Sequence, residues 1–352
     1  MTIKMIITGD VNLMNVTDPE GPFRLVRREF AETDVVFSNL ECCLYDPPAM
    51  HSVDNEGFYV SPAIGGAALT GAGIHAVGLA NNVNYGESAI LGSIARLDDF
   101  GIGHTGAGVD LDAARRPAIV ERRGKKIGFL QRTSVYWPTH HEARRNAAGV
   151  AVIRGHTAYE VQMHKHRPEV PPMNRPGLPP IVVTWAHQAY LGQFQEDVAA
   201  LKSQADFVVA SCHWGLWEDV LEYMTQIAHA AIDAGADMVV GHGPHYSLPV
   251  EIYKGRPIFY GLGSFCFHTG HNGRKHGNWV GMMPRLWLGD GTIERATFQF
   301  VRHNDNNETV LCPLAAEGPT LEKIAERSKA YGTVLTTAGD EVVVALDARS
   351  AS

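Results

Sequence analysis

The chain has 352 residues, 45% apolar and 19% charged, a balance that supports a sizeable core and excludes extensive disorder. The formal net charge is -8 with no long basic run, which disfavours nucleic acid as a partner, because phosphate contacts need clustered Lys and Arg. No stretch approaches the roughly 20 apolar residues of a membrane span. The opening run Ile3-Lys4-Met5-Ile6-Ile7 is too short for a signal segment, and five cysteines, including the adjacent pair Cys42-Cys43, make no disulfide framework. A cytoplasmic, reducing location is the expectation.

Residues 3 to 9 read as a buried strand ending at Gly9-Asp10. Asp34 to Leu40 is β-rich and ends at Glu41, and Ile74 to Ala80 is a short apolar run ending at Asn81-Asn82. Glu87 to Phe100 has helical spacing and stops before glycines. Pro117 to Glu121 and Lys126 to Gln131 flank Gly124 as a hairpin, with Arg122-Arg123-Gly124-Lys125-Lys126 as its solvated turn. Residues 135 to 180 are weakly patterned, with Trp137, His140-His141, His164 and His166 followed by a proline-rich stretch from Pro168 to Pro180. An irregular insert at about 135–190 of this kind suits a functional loop system, expected to line a substrate pocket. Residues 193 to 204 read as a helix, and Asp206 to Cys212 as a buried strand ending at His213-Trp214-Gly215. Met224 to Ala234 is a helix, and Asp237 to Val240 a strand ending at Gly241-His242. Three β-rich runs follow, at 248 to 254, 257 to 262, and 279 to 301 with a turn at Gly289-Asp290-Gly291. A last helix is expected over Leu321 to Tyr331. There is no internal repeat and no linker that splits the chain, so residues 1–352 read as one domain.

Strand-like runs thus end repeatedly in a residue that can hold a cation: Asp10, Glu41, Asn82, His213 and His242. In α/β folds the loops at the carboxyl ends of strands build the site. Carboxylate, amide and imidazole together suit one or two ions of Mn, Zn or Fe. The segment Gly241-His242-Gly243-Pro244-His245 adds a second imidazole within one tight turn. Taken singly, each residue has a plainer use: Asp10 and Glu41 as caps, Asn81 and Asn82 in a turn, His213 in the core. Their coincidence at strand ends favours a metal centre. Gly101-Ile102-Gly103-His104-Thr105-Gly106 matches a dinucleotide loop but follows a helix rather than a strand, so it is rejected. His140-His141-Glu142 and the pair His164/His166 read as surface or substrate-lining groups.

The block Ala-Gly-Ala-Asp-Met-Val-Val-Gly-His-Gly-Pro-His at 234 to 245 resembles the CapA (poly-γ-glutamate capsule synthesis) family. So does its continuation from Glu251 to Phe265, and Gly9-Asp10, Asn39-Leu40-Glu41, Ala80-Asn81-Asn82, Gly106-Ala107-Gly108 and His213-Trp214-Gly215 follow in the family's order. The resemblance covers roughly residues 3 to 300. It implies an α/β fold, a four-layer α/β/β/α sandwich of the metallophosphoesterase type, with metal ligands at Asp10, Glu41, Asn82, His213, His242 and His245. The family's Asn-Asn-His-x-x-Asp-Tyr-Gly here reads Asn81-Asn82-Val83-Asn84-Tyr85-Gly86, so valine stands where the family's proton donor is expected. His104 and His187 are the candidates to replace it. Tyr260-Gly261-Leu262-Gly263-Ser264-Phe265 also departs from the family's Tyr-Ser-Leu-Gly-Asn-Phe. Many family members begin with a membrane anchor; none is read here, and no membrane partner or direct role in capsule export is expected.

Tyr136, Trp137, Trp185, Tyr190, Trp214 and Trp217 suggest an apolar pocket for a small, aromatic-bearing molecule, with Arg132, Trp137, Trp185 and Trp214 as the binding candidates. Arg132, Arg144 and Arg145 are the residues near enough in sequence to grip a carboxylate or phosphate. Three functions follow: a metal-dependent hydrolase cleaving an amide, ester or phosphoester; a metal-dependent lyase breaking a C–C or C–O bond without water; and a non-catalytic metal-binding or assembly protein related to the capsule-synthesis family. The retained ligand set argues against the third.

Overall fold

Nine consecutive residues from Ile3 to Val11 form a strand in which all but Lys4 are buried. Val35–Leu40, Phe207–His213 and Met238–His242 are buried throughout. A strand buried on both faces reads as a continuous apolar run, as parallel strands covered on both sides do. The computed structural model describes residues 2–47, 58–164, 169, 173–174, 176–267 and 277–346. His166 and residues 168, 170–172 and 175 of the proline-rich stretch lie outside the described residues.

Two large sheets form among the described residues. In the ten-stranded one, Ile3–Val11 lies between Val35–Leu40, parallel to it, and Gly281–Leu288, antiparallel. Ala76–Gly78 and Gly103–Thr105 continue the parallel side. Ile293–His303, Glu341–Val344 and Leu335–Ala338 continue the antiparallel side. Ser264–Cys266 pairs with the carboxyl end of Ile3–Val11. The six-stranded sheet places Phe207–His213 between Lys125–Thr133 and Met238–His242, all parallel. Ala118–Arg122 closes one edge as the expected hairpin, and Val250–Tyr253 closes the other beyond Arg256–Phe259.

Alternation along the strands sets the layers. Met5 and Ile7 face a core shared with Phe129, Val209, Val240 and Phe259 of the second sheet. The Phe37 and Phe129 rings stack across that core with centroids 4.5 Å apart. Ile6 and Val36 face the other way, onto Phe30, Leu69, Ile90 and Leu97 of the flanking helices. On the second sheet Leu130, Val208 and Val239 face Phe194, Val198, Met224 and Ile227 of Gln188–Lys202 and Glu222–Asp233. The α/β class holds.

Among the elements that escape the sequence reading are one helix and two strand pairs. Pro62–Ala72 is a helix despite three glycines. Packing explains one of them, since a Cβ on Gly66 would meet the Phe100 ring at 1.9 Å. The insert is more regular than expected: Gly155–Glu160 pairs antiparallel with Ile181–Ala186. Both strands are largely exposed, so no apolar alternation announces them. Leu335–Ala338 and Glu341–Val344 form a terminal hairpin. All five cysteines are buried free thiols, and among the described residues no helix is long and apolar enough to cross a membrane.

Candidate metal centre

The carboxyl ends of the parallel strands from both sheets converge. Asp10 is the penultimate residue of Ile3–Val11 and pairs in register with Asn39 and Ser264. Glu41 follows Val35–Leu40 directly. His213 and His242 end adjacent strands and sit opposite each other in register. His245 emerges from the turn beyond, with φ 61, a left-handed conformation uncommon for a residue with a side chain. Gly243 has φ 103, and a Cβ there would lie 2.9 Å from His213 Nε2, so the turn needs glycine on both counts.

Asp10 Oδ1 lies 3.3 Å from His242 Nδ1, and Oδ2 lies 3.0 Å from His245 Nδ1. Glu41 Oε1 lies 3.6 Å from His213 Nε2 and 3.8 Å from His245 Nε2. Ligand-capable atoms of Asp10, Glu41 and His245 fall within 4.8 Å of one another. Asp10, Glu41, His213 and His242 are buried, while His245 is partly exposed. Burial alone would raise the Asp10 carboxyl, but His242 and His245 outweigh it and hold it well below the usual carboxylate range. Burial lowers the His245 imidazole, and Glu41 and Asp10 override it, pushing it up to about 9.

The donor set fits a divalent cation. His213 Nε2 and both nitrogens of His242 are buried and make no well-formed hydrogen bond among the described residues, although His213 Nε2 and His242 Nδ1 face the Glu41 and Asp10 carboxylates at 3.6 Å and 3.3 Å. A buried polar atom left without any partner costs about 1–3 kcal/mol, and an ion bound among these nitrogens and carboxylates would satisfy both. His213 is oriented from its other side, Nδ1 lying 3.1 Å from Thr133 Oγ1. Asn39, which the sequence pattern does not single out as a ligand, donates to Asp10 Oδ1 at 2.8 Å and Glu41 Oε2 at 3.3 Å. Its oxygen accepts from Asn81 Nδ2 and Gln131 Nε2.

Asn81 takes the turn role: its Oδ1 accepts from the Val83 and Asn84 amides, and its Nδ2 donates to Leu40 O. Asn82, half-buried beside it, makes no side-chain hydrogen bond among the described residues; its backbone oxygen accepts from Trp137 Nε1 at 2.9 Å. Val83 is buried. The buried His141 braces that loop, donating from Nε2 to Asn84 O and accepting the Trp137 amide at Nδ1. Burial pushes its pKa down to about 4.

The expected acid–base and binding residues go elsewhere. His104 Nε2 pairs with Asp98 at 3.1 Å on the helix side of its strand. His187 caps Gln188–Lys202, its Nδ1 accepting the Ala189 amide, and stacks on His156. Arg132 is buried against Asp197 and over the Phe194 ring. Trp214 is fully buried, donating to Tyr260 O. Trp185 stacks on His156 in the outlying hairpin. Of the four binding candidates, only Trp137 touches the candidate ligand loop, through Asn82 O. The cavity that reaches His245 has a volume of about 600 Å³ and is lined instead by Trp217, Tyr246, Ser264, Trp279 and Lys323, among others. The insert does not line it.

A family model described as bacterial capsule synthesis protein PGA_cap matches residues 3–269, a span that holds every candidate ligand. The chain belongs to that family. The resemblance read from the 234–265 block is borne out. A probable polyglutamine synthesis accessory protein of Mycobacterium tuberculosis is 34% identical over 211 residues, covering 56% of this chain and 46% of that protein. The capsule biosynthesis protein CapA of Bacillus anthracis is 26% identical over 281 residues, 76% of this chain and 60% of the other. The match therefore spans less than half the length of the mycobacterial relative. Among solved structures, a hypothetical protein from Thermus thermophilus has a TM-score of 0.49 at 14% identity, covering 86% of this chain and 100% of that one.

Proposed function

We propose that this PGA_cap-family chain is a metal-dependent hydrolase, working as one catalytic unit on an ester, amide or phosphoester of a small organic molecule. The observation that carries the reading is the cluster of two buried carboxylates and three imidazoles, with nitrogens of His213 and His242 that make no hydrogen bond among the described residues, beside an open aromatic cavity. Asp10, Glu41, His213, His242 and His245 would hold one or two ions of Mn, Zn or Fe, with Asn82 as a further ligand. When bound, such an ion polarises a substrate oxygen and lowers the pKa of a water to near 7.

The chain's own groups supply the rest. Asn39 holds both carboxylates in place, and Thr133 fixes the His213 ring. Trp217, Tyr246 and Trp279 offer apolar faces for a planar group, and Ser264 and Lys323 offer donors. Relatives named for capsule and polyglutamine synthesis favour an amide among the three bonds. A second reading, a lyase, rests on Val83: a buried valine transfers no proton to a leaving group, and both nitrogens of His141 are committed to backbone.

Elemental analysis of protein purified without chelator tests the reading, beside an Asp10→Ala/His242→Ala variant. One or two equivalents of metal in the wild type and none in the variant is the expected result. No metal in either after reconstitution would overturn it and leave the non-catalytic protein. Oxygen from labelled water entering the product separates hydrolase from lyase.

A further inference from the structure

A second cavity of about 500 Å³ lies on the helix-covered side of the six-stranded sheet, and none of the candidate metal ligands lines it. Five arginines do: Arg115, Arg132, Arg144, Arg145 and Arg154. In a chain of net charge -8 this is a local inversion of sign. We propose that this cavity binds a small organic polyanion, gripped through its carboxylate or phosphate groups by bidentate arginine forks.

Three of the guanidiniums are held in place before any ligand arrives. Asp197 bridges Arg115, at 2.6 Å and 3.0 Å, and the fully buried Arg132. One carboxylate between two guanidiniums leaves a positive excess at the cavity wall. Arg154 pairs with Glu142 at 2.5 Å and lies over the Tyr190 and Tyr136 rings. Tyr190 also donates to Glu142 at 2.5 Å, so that carboxylate is shared. Arg144 and Arg145 are exposed, and among the described residues neither is in an ion pair. Asp197 and Glu142 are the two carboxylates in ion pairs with these five guanidiniums, with Asp112 and Glu196 also near Arg115.

All five cations are arginine and none is lysine. The planar fork matches a carboxylate or phosphate with two parallel N–H···O bonds, whereas an ammonium offers a point charge. A cavity of this volume exceeds what a lone inorganic anion fills, so a ligand with several anionic groups fits better. The residues alternate across the strand end: Arg132 faces this cavity and its neighbour Thr133 faces His213. The cavity and the metal centre therefore stand on opposite sides of one strand, and each can be altered alone.

Isothermal titration at low ionic strength with citrate, pyrophosphate and glycerol tests the assignment. The protein as purified, Arg144→Ala/Arg145→Ala, Gln193→Glu and His242→Ala would be compared. The expected result is binding of citrate or pyrophosphate but not glycerol, weakened by added salt. The arginine double variant should lose at least about tenfold in affinity. Gln193→Glu, which places a negative charge on the cavity wall, should weaken binding too. His242→Ala should bind as the wild type does, and melting temperatures of the two cavity variants should be unchanged. Tighter citrate assigns carboxylates and tighter pyrophosphate assigns phosphates. No anion bound by the wild type, unchanged affinity in both cavity variants, or loss in His242→Ala alone would overturn the proposal.

Discussion

Asn39 is the residue on which both buried carboxylates depend. Its amide nitrogen is shared between Asp10 and Glu41, and its oxygen is fixed by Asn81 and Gln131. Replacing it with alanine leaves the carboxylates free to repel and reorient. Asn39→Ala should fold yet bind metal about 10–100-fold more weakly, read by competition with a chromophoric chelator. His141 carries a separate expectation. Its pKa is pushed down from its ordinary value to about 4 by burial, so the folded state holds it neutral where the unfolded chain would protonate it. Its contribution to stability is full above pH about 6.5 and is lost as pH falls from there toward 4, by up to about 1.4 kcal/mol per pH unit. Subtracting the profile of His141→Asn from that of the wild type, by denaturant unfolding, should isolate that slope; parallel profiles would refute it. Asp10, Glu41, His213 and His242 were legible because each ends an apolar run, where a polar residue is out of keeping. His104 and His187 were not. Their partners, Asp98 and the Ala189 amide, are local and ordinary, and sequence spacing does not separate a paired or capping imidazole from a catalytic one.

The turn Gly241-His242-Gly243-Pro244-His245 is the element on which the site's geometry rests. Gly243→Ala would force a side chain into positive φ and against His213 Nε2. Stability should fall by about 1 kcal/mol or more, and metal content should fall with it, because the clash bears on a ligand. Unchanged metal content in the folded variant would show that the turn tolerates movement. Strands covered on both faces were readable as unbroken apolar runs, and their polar terminators came with them. Pro62–Ala72 was hidden by its glycines, of which Gly66 is required by close packing against Phe100, a residue distant in sequence. Gly155–Glu160 and Ile181–Ala186 were hidden by exposure, since apart from Thr184 and Ala186 their residues are exposed or half-exposed and carry little apolar alternation.

Across the whole molecule, the core between the sheets sets how the two halves of the site meet. Phe37 and Phe129 stack there, one from each sheet, with neither ring exposed. Phe37→Ala should cost about 3–5 kcal/mol through lost burial and the cavity left behind. Phe37→Ala and Phe129→Ala should be strongly non-additive in thermal unfolding, since each removes the other's partner. The α/β class and the order of the parallel strands were within reach of the sequence. The partition of cavities was not: the insert borders the arginine-lined cavity, whereas the aromatic cavity beside His245 draws on Trp217, Trp279 and the helix Gly318–Lys329. Which residues share a wall depends on how separate elements dock, and spacing along one chain does not carry that.

Asp10 and Glu41 come from one sheet, and His213 and His242 from the other. An ion held by all four is a rivet through the seam between two half-structures. Its binding energy adds to folding by mass action, about 2.7 kcal/mol when the free ion is a hundredfold above its dissociation constant. Catalytic fitness and mechanical integrity would then draw on the same atom, and starving the protein of metal would loosen its architecture as it silenced its chemistry.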